Sequence, residues 1–169
     1  VRLQQLQNWL PASALIRAMP NVALTVGEGM TALARGKGTN DAAVAFALEL
    51  FASAGRSVEI DENYMDVVTA LSGSGPAFAF LVMESLADGA LKMGLRRDLA
   101  LSMAAQVLQG AARMVLQSGT HPAVLKDQVT TPGGCTIAGL SKMEEGRVRH
   151  ALASGVEEAT RTAAKLGQG

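Results

Sequence analysis

The chain has 169 residues, 49% of them hydrophobic and 4% aromatic, and its 15 Lys and Arg balance 15 Asp and Glu for a formal net charge of +0. That length allows one domain with a sizeable core or two small pieces, and the charge balance supplies no general field for nucleic acid or an anionic membrane surface. The single Cys135 excludes a disulfide framework and a multi-thiolate zinc site, and the well-separated His121 and His150 offer no ligand spacing, so no metal is expected.

The opening stretch "VRLQQLQNWL" is helical and lacks the apolar centre of a secretory signal. It begins on Val1 instead of methionine, so an N-terminus that has been cut, processed or left out is expected. "ALIRAM" and "GMTALARG" read as strands, "NDAAVAFALELFASAG" as a helix capped by Asn40 and ended by Gly55, and "SVEI" as a third strand. The order αββαβ is too small a sheet to stand alone, because its apolar residues need neighbours at both edges and helices on the faces. Residues 1–61 are therefore expected to be the tail of a larger, Rossmann-like α/β domain.

From residue 62 onward strand signals cease, and 62–169 is expected to be an all-helical domain with turns at "SGSGP", "MGLRRD", "SGTHP" and "TTPGG". Over 76–93 the charges Glu84, Asp88 and Lys92 recur every four residues, and Asp98, Ser102, Gln106, Gln109, Arg113 and Gln117 trace a similar polar stripe over 97–117. Helices apolar around most of their circumference have to be covered from several sides. A second copy of the chain is one source of cover, and a monomeric bundle with these two helices as central rods is the other. No run reads as long and uninterrupted enough to span a bilayer, so a soluble, cytoplasmic protein is expected, with neither nucleic acid nor membrane as partner. The last helix, 147–166, has an ordinary one-sided stripe running from Val148 to Leu166.

"LSGSGPAFAF" places Gly73 and Gly75 two apart as a dinucleotide fingerprint would, but the third glycine falls at Phe78 and a helix precedes it. It reads as a tight interhelical turn with Pro76 at the first position of the next helix. The stretch "QVTTPGGCTIAGL", residues 128–140, is a second interruption, where small residues lead directly into an apolar helix. Such a corner exposes unpaired N–H groups and can hold an anion, or can be a capped turn and nothing more. Thr136 would place a hydroxyl on the first helical turn beside those groups, whereas Cys135 is better read as a small packed thiol and His121 as the start of a short helix.

The runs "LSGSGPAFAFLVMESLADGALKMGL" and "HPAVLKDQVTTPGGCTIAGLSKMEEGRVRHAL", with "IRAMPN" and "GEGMTALARG" upstream, resemble the C-terminal half of pyrroline-5-carboxylate reductases. The resemblance covers essentially the whole chain, and the Thr-Pro-Gly-Gly-X-Thr loop is its specific part. It implies a mainly α chain, a helical dimerisation domain preceded by the αββαβ tail of the nucleotide-binding domain. It further implies an oxidoreductase of L-proline biosynthesis that carries hydride from NADPH or NADH to the imine of L-1-pyrroline-5-carboxylate. Most of the cofactor contacts would belong to residues before Val1, with Met19, Pro20 and Asn21 left near the nicotinamide end. The substrate would lie at a homodimer interface, its carboxylate held by Gln128, Thr131, Pro132, Gly133, Gly134 and Cys135, with Thr136 as the catalytic hydroxyl at the ring nitrogen. Gln128 stands where relatives often have Asn or Asp, and Gly119 where some have Glu. Because nothing in these residues grips a dinucleotide pyrophosphate, the chain alone is expected to be inactive. The alternative is an oligomerisation module that keeps only the carboxylate cradle.

Overall fold

The computed structural model describes residues 1–167. They form two compact units, one made of residues 1–77 and the chain from 153 onward, the other of residues 78–152. The division differs from a single boundary at 61/62, because the end of the last helix is grouped with the N-terminal unit.

In the first unit α1 (Leu3–Trp9) precedes β1 (Ile16–Met19) and β2 (Gly29–Arg35), and α2 (Asp41–Ala52) leads to β3 (Gly55–Glu59). β2 is central, antiparallel to β1 and parallel to β3, in the order β1-β2-β3. The αββαβ order read from the sequence is thus the order found. Side chains alternate across β2. Ala32 and Ala34 enter a core with Leu3 and Met65, against which Leu15, Met19, Ile60 and Val68 pack. Thr31 pairs in register with Ser57, whose hydroxyl donates to the Leu48 carbonyl of α2 at 2.7 Å, so α2 lies on the Thr31 and Leu33 face. The Asn40 side chain accepts from the Ala43 N–H at 2.8 Å, which is the cap its position announced. At the end of β2, hydrogen bonds to Glu59 first and Asp41 second push the Arg35 guanidinium above its ordinary range and tie β2 to β3 and to the start of α2.

Gly55 does not end α2. It opens β3 at φ +145 beside Gly29, where a Cβ on it would stand 2.1 Å from the Gly29 carbonyl oxygen. Two strands meeting at this spacing admit no side chain there.

The stretch "SGSGP" is not a turn either. α3 (Met65–Val68) runs into one π-helical turn, Thr69–Gly73, and after Ser74 the chain continues as α4 (Gly75–Lys92). In the second unit the rest of α4 is followed by α5 (Arg97–Ser118), α6 (Pro122–Gln128) and α7 (Cys135–Glu145). α8 (Val148–Leu166) starts one residue later than its periodicity suggests, because Arg147 adopts φ +54 and breaks the helical path after Gly146.

The expectation that no segment could span a bilayer is corrected by two helical stretches, Glu62–Lys92 and Arg97–Ser118. Both are long and apolar enough to do so, with mean hydropathy 1.4 and 1.3. Continuity through the π turn lengthens the first, and the four-residue spacing of its charges leaves long apolar windows. Only 11% of each window is buried within the chain. Phe80, Leu81, Met103 and Val107 are 61%, 60%, 53% and 63% exposed, more apolar surface than an isolated soluble unit ordinarily shows.

Two glycines separate backbone strain from steric exclusion. Gly38, at φ +80 with nothing within 4 Å of an added Cβ, should lose about 1–2 kcal/mol as Gly38→Ala. Gly55→Ala adds the collision with Gly29 and should lose about 3 kcal/mol or more. Urea denaturation of the two variants checks the order, and equal losses would contradict the close strand approach.

Candidate functional site

The loop between α6 and α7 is built from local chemistry. His121 caps α6, its Nδ1 accepting from the Ala123 N–H at 3.2 Å, and Pro122 occupies the first turn where a missing N–H does no harm. The helix closes as the Thr130 hydroxyl donates to the Lys126 carbonyl at 2.7 Å. Then the Gly134 N–H donates to the Thr131 carbonyl at 3.1 Å across a tight turn with Pro132 second and Gly133 third, at φ +68. A proline fixed near φ −65° followed by a glycine at positive φ is the sequence a type II turn requires.

Gly134 then serves as the N-cap of α7 in extended conformation, without a side-chain cap. A helix opened this way leaves the N–H groups of Cys135, Thr136 and Ile137 without intrahelical acceptors, at the positive end of the helix dipole. A Cβ on Gly134 would lie 2.4 Å from the Thr131 hydroxyl oxygen, so that hydroxyl already occupies the space over the cap. Thr131, Pro132, Gly133 and Cys135 are exposed, while Gly134 and Thr136 are half-buried. Cys135, expected to pack as a buried thiol, is an exposed free cysteine, because the first position of α7 faces outward from this chain. Gln128 is exposed at the last turn of α6.

Thr136 differs from four of the other helical hydroxyls. Thr69, Ser85, Ser118 and Thr160 each donate to the carbonyl four residues earlier. Four residues before Thr136 is Pro132, in the turn and outside the helix, and among the described residues the Thr136 hydroxyl has no hydrogen-bond partner. Its donor and acceptor capacity remains for an outside group.

Met19, Pro20 and Asn21 belong to the other unit. They turn the chain at the carboxyl end of β1, beside the amino ends of β2 and β3 because β1 runs antiparallel to β2. Met19 packs against the core. The Asn21 amide accepts from the Met30 N–H and donates to the Ser72 carbonyl, both at 3.2 Å. Cavities of about 640 Å³ and 240 Å³ lie elsewhere in this unit, the larger lined by Arg35, Glu59 and Asn63 among others, the smaller by Arg2, Arg17, Glu62 and Asp66 among others. Ion pairs fill their walls, Arg17–Glu62 at 3.1 Å and Arg2–Asp66 at 3.3 Å. They read as structural ties between α1, β1 and the segment entering α3.

A family model described as pyrroline-5-carboxylate reductase dimerisation matches residues 62–166, more than half of the chain. The chain belongs to the pyrroline-5-carboxylate reductase family. A pyrroline-5-carboxylate reductase of Arabidopsis thaliana is 45% identical over 168 residues, which are 99% of this chain and 61% of the relative. One from Methanosarcina acetivorans is 45% identical over 159 residues, 94% of this chain and 59% of the relative. Among solved structures, the Plasmodium falciparum pyrroline carboxylate reductase with NADP bound matches with a TM-score of 0.91 at 32% identity, covering 99% of this chain and 68% of that one. The Coxiella burnetii pyrroline-5-carboxylate reductase matches with a TM-score of 0.93 at 32% identity, covering 96% and 61%. The chain thus spans about three fifths of the length of the family's sequence relatives that it matches.

Sequence reasoning missed Ser72 and Gly73 as partners of the Met19–Asn21 turn. The glycine-serine run was visible, but its meaning depends on a contact between segments fifty residues apart. For the loop, Gly133→Ala should lower stability by about 1–2 kcal/mol through its positive φ alone, since nothing stands within 4 Å of the added Cβ. A two-state urea transition with unchanged midpoint would show that the turn is not held in this conformation.

Proposed function

We propose that the parent protein is a pyrroline-5-carboxylate reductase that transfers hydride from NADPH or NADH to the imine of L-1-pyrroline-5-carboxylate in proline biosynthesis. The observation that carries the reading is the uncapped first turn of α7 next to a threonine hydroxyl with no hydrogen-bond partner among the described residues. The N–H groups at the start of α7 suit the substrate carboxylate, with Thr131, Pro132, Gly133, Gly134 and Cys135 shaping the corner and Gln128 at its edge. The Thr136 hydroxyl then meets the ring nitrogen. An imine accepts hydride at its carbon far more readily when the nitrogen is protonated, and a hydroxyl bonded to that nitrogen orients the ring and stabilises the N–H that forms.

Met19, Pro20 and Asn21 fit the nicotinamide end of the cofactor in one respect. They make a half-buried corner at the carboxyl end of a strand, with no side-chain charge. When bound, the cofactor supplies the hydride. The chain's own residues anchor the carboxylate, present Thr136 to the nitrogen and hold the corner in place.

The loop is an exposed corner in a single chain, and a small substrate needs enclosure. A second copy supplies it in this reading, and the same partner covers the apolar flanks of α4 and α5. Lipid is the less suitable cover, because the stripe of Glu84, Asp88 and Lys92 runs along α4 and Asp88 pairs with Arg97 at 3.0 Å.

Three measurements test the reading. NAD(P)H oxidation by the full-length protein should require pyrroline-5-carboxylate, and Thr136→Ala should lower kcat by about 100-fold with little change in cofactor affinity. An unchanged kcat/KM would remove Thr136 from the mechanism. Sedimentation of the 169-residue chain should give a dimer or a multiple of it, and a well-folded monomer would refute the shared interface. L-Proline should raise the melting temperature of that chain, an effect that Gly134→Ala should abolish by displacing the Thr131 hydroxyl.

A further inference from the structure

Both ends of the Asn21 side-chain amide are bonded within the protein. Its Oδ1 accepts from the Met30 N–H and its Nδ2 donates to the Ser72 carbonyl, each at 3.2 Å, and the Ser72 hydroxyl donates to the Met30 carbonyl at 3.3 Å. Three segments are joined by this ring of bonds: the turn after β1, the start of β2 and the π-helical turn.

The Ser72 carbonyl needs a donor for a definite reason. In a regular helix it would accept from residue 76, but that residue is Pro76, which has no N–H. The next amide, Ala77, donates to the Ser74 carbonyl at 2.9 Å, and the π register is closed by the Ser74 N–H on the Thr69 carbonyl at 3.0 Å. Asn21 supplies the missing donor from outside the helix. The same node is closed sterically, since a Cβ on Gly73 would lie 2.7 Å from the Met19 terminal methyl.

We infer that Asn21 is a positioning residue for hydride transfer. By standing in for the N–H that Pro76 lacks, it fastens the Met19–Pro20 turn to the π-helical segment and fixes the height of the nicotinamide floor. This inference rests on the reductase reading and changes the part Asn21 plays in it. An amide with each end bonded to main chain supports the cofactor corner, whatever its remaining N–H and lone pair do.

The test uses the full-length protein. In Asn21→Ala, kcat should fall roughly 10- to 100-fold, as a displaced floor misaligns the reacting atoms. KM for pyrroline-5-carboxylate should stay within about twofold, because the carboxylate cradle is a different loop. Hydrogen exchange at the Met30 amide should quicken by about tenfold or more as its acceptor is lost. Gly73→Ala is the second variant, useful if the first folds poorly. It leaves both Asn21 bonds in place and moves only the end of a flexible methionine, so Met30 exchange should hold while kcat falls.

Faster exchange in Asn21→Ala with unchanged kcat, or an unchanged kcat in Gly73→Ala, would overturn the inference and leave the ring as scaffold only. Absence of imine reduction by the wild-type protein would instead sink the reductase reading, and the exchange data would still report the hydrogen-bond ring.

Discussion

An α-helix whose polar residues form a stripe one side chain wide leaves most of its circumference in need of apolar neighbours. α4 and α5 are both of this kind, and the folded chain buries only a small share of either. The hydrophobic term that orders most helices is therefore incomplete here within one copy, at roughly 25 cal/mol per Å² of apolar surface left in water. α6 is short and capped by His121, and the loop into α7 is closed by the Gly134 N–H on the Thr131 carbonyl, so both hold their shape by local hydrogen bonds without a large core of their own.

The first unit solves a different problem. Three strands have too little area to sustain themselves, and the chain compensates by dense pairing at a few points: Gly29 against Gly55, Ser57 onto α2, and Arg35 bridging Glu59 and Asp41. The core is small, with two alanines of β2 meeting Leu3 and Met65. Family members matched here are longer than this chain, and β1 and β3 form the two edges of the three-stranded order.

Much of the secondary structure could be read from the sequence because it rests on short-range rules. Asn40 before an apolar run, Pro122 after His121, and Pro132-Gly133 in a turn each act within three or four residues, and the structure places them as those rules require. What escaped depends on longer range or on an unusual register. A π turn of five residues has no periodic signature, so "SGSGP" looked like a break. Gly55 was mistaken for a helix stop because its reason, the Gly29 carbonyl, is twenty-six residues away. In the candidate site the Pro-Gly-Gly turn and the place of Thr136 on the first helical turn are legible from the sequence, whereas the lack of a partner for its hydroxyl among the described residues is a matter of the fold.

The uncapped start of α7 also bears on how recognition would respond to its surroundings. Its donors are peptide N–H groups, which do not titrate in the range where proteins stay folded. They belong to the main chain, so no side-chain replacement other than proline deletes them. A carboxylate held this way would bind with a pH dependence set by the ligand's own groups. Unlike a lysine or arginine clamp, this corner can be reshaped by mutation but, short of a proline in the first turn of α7, loses none of its donors.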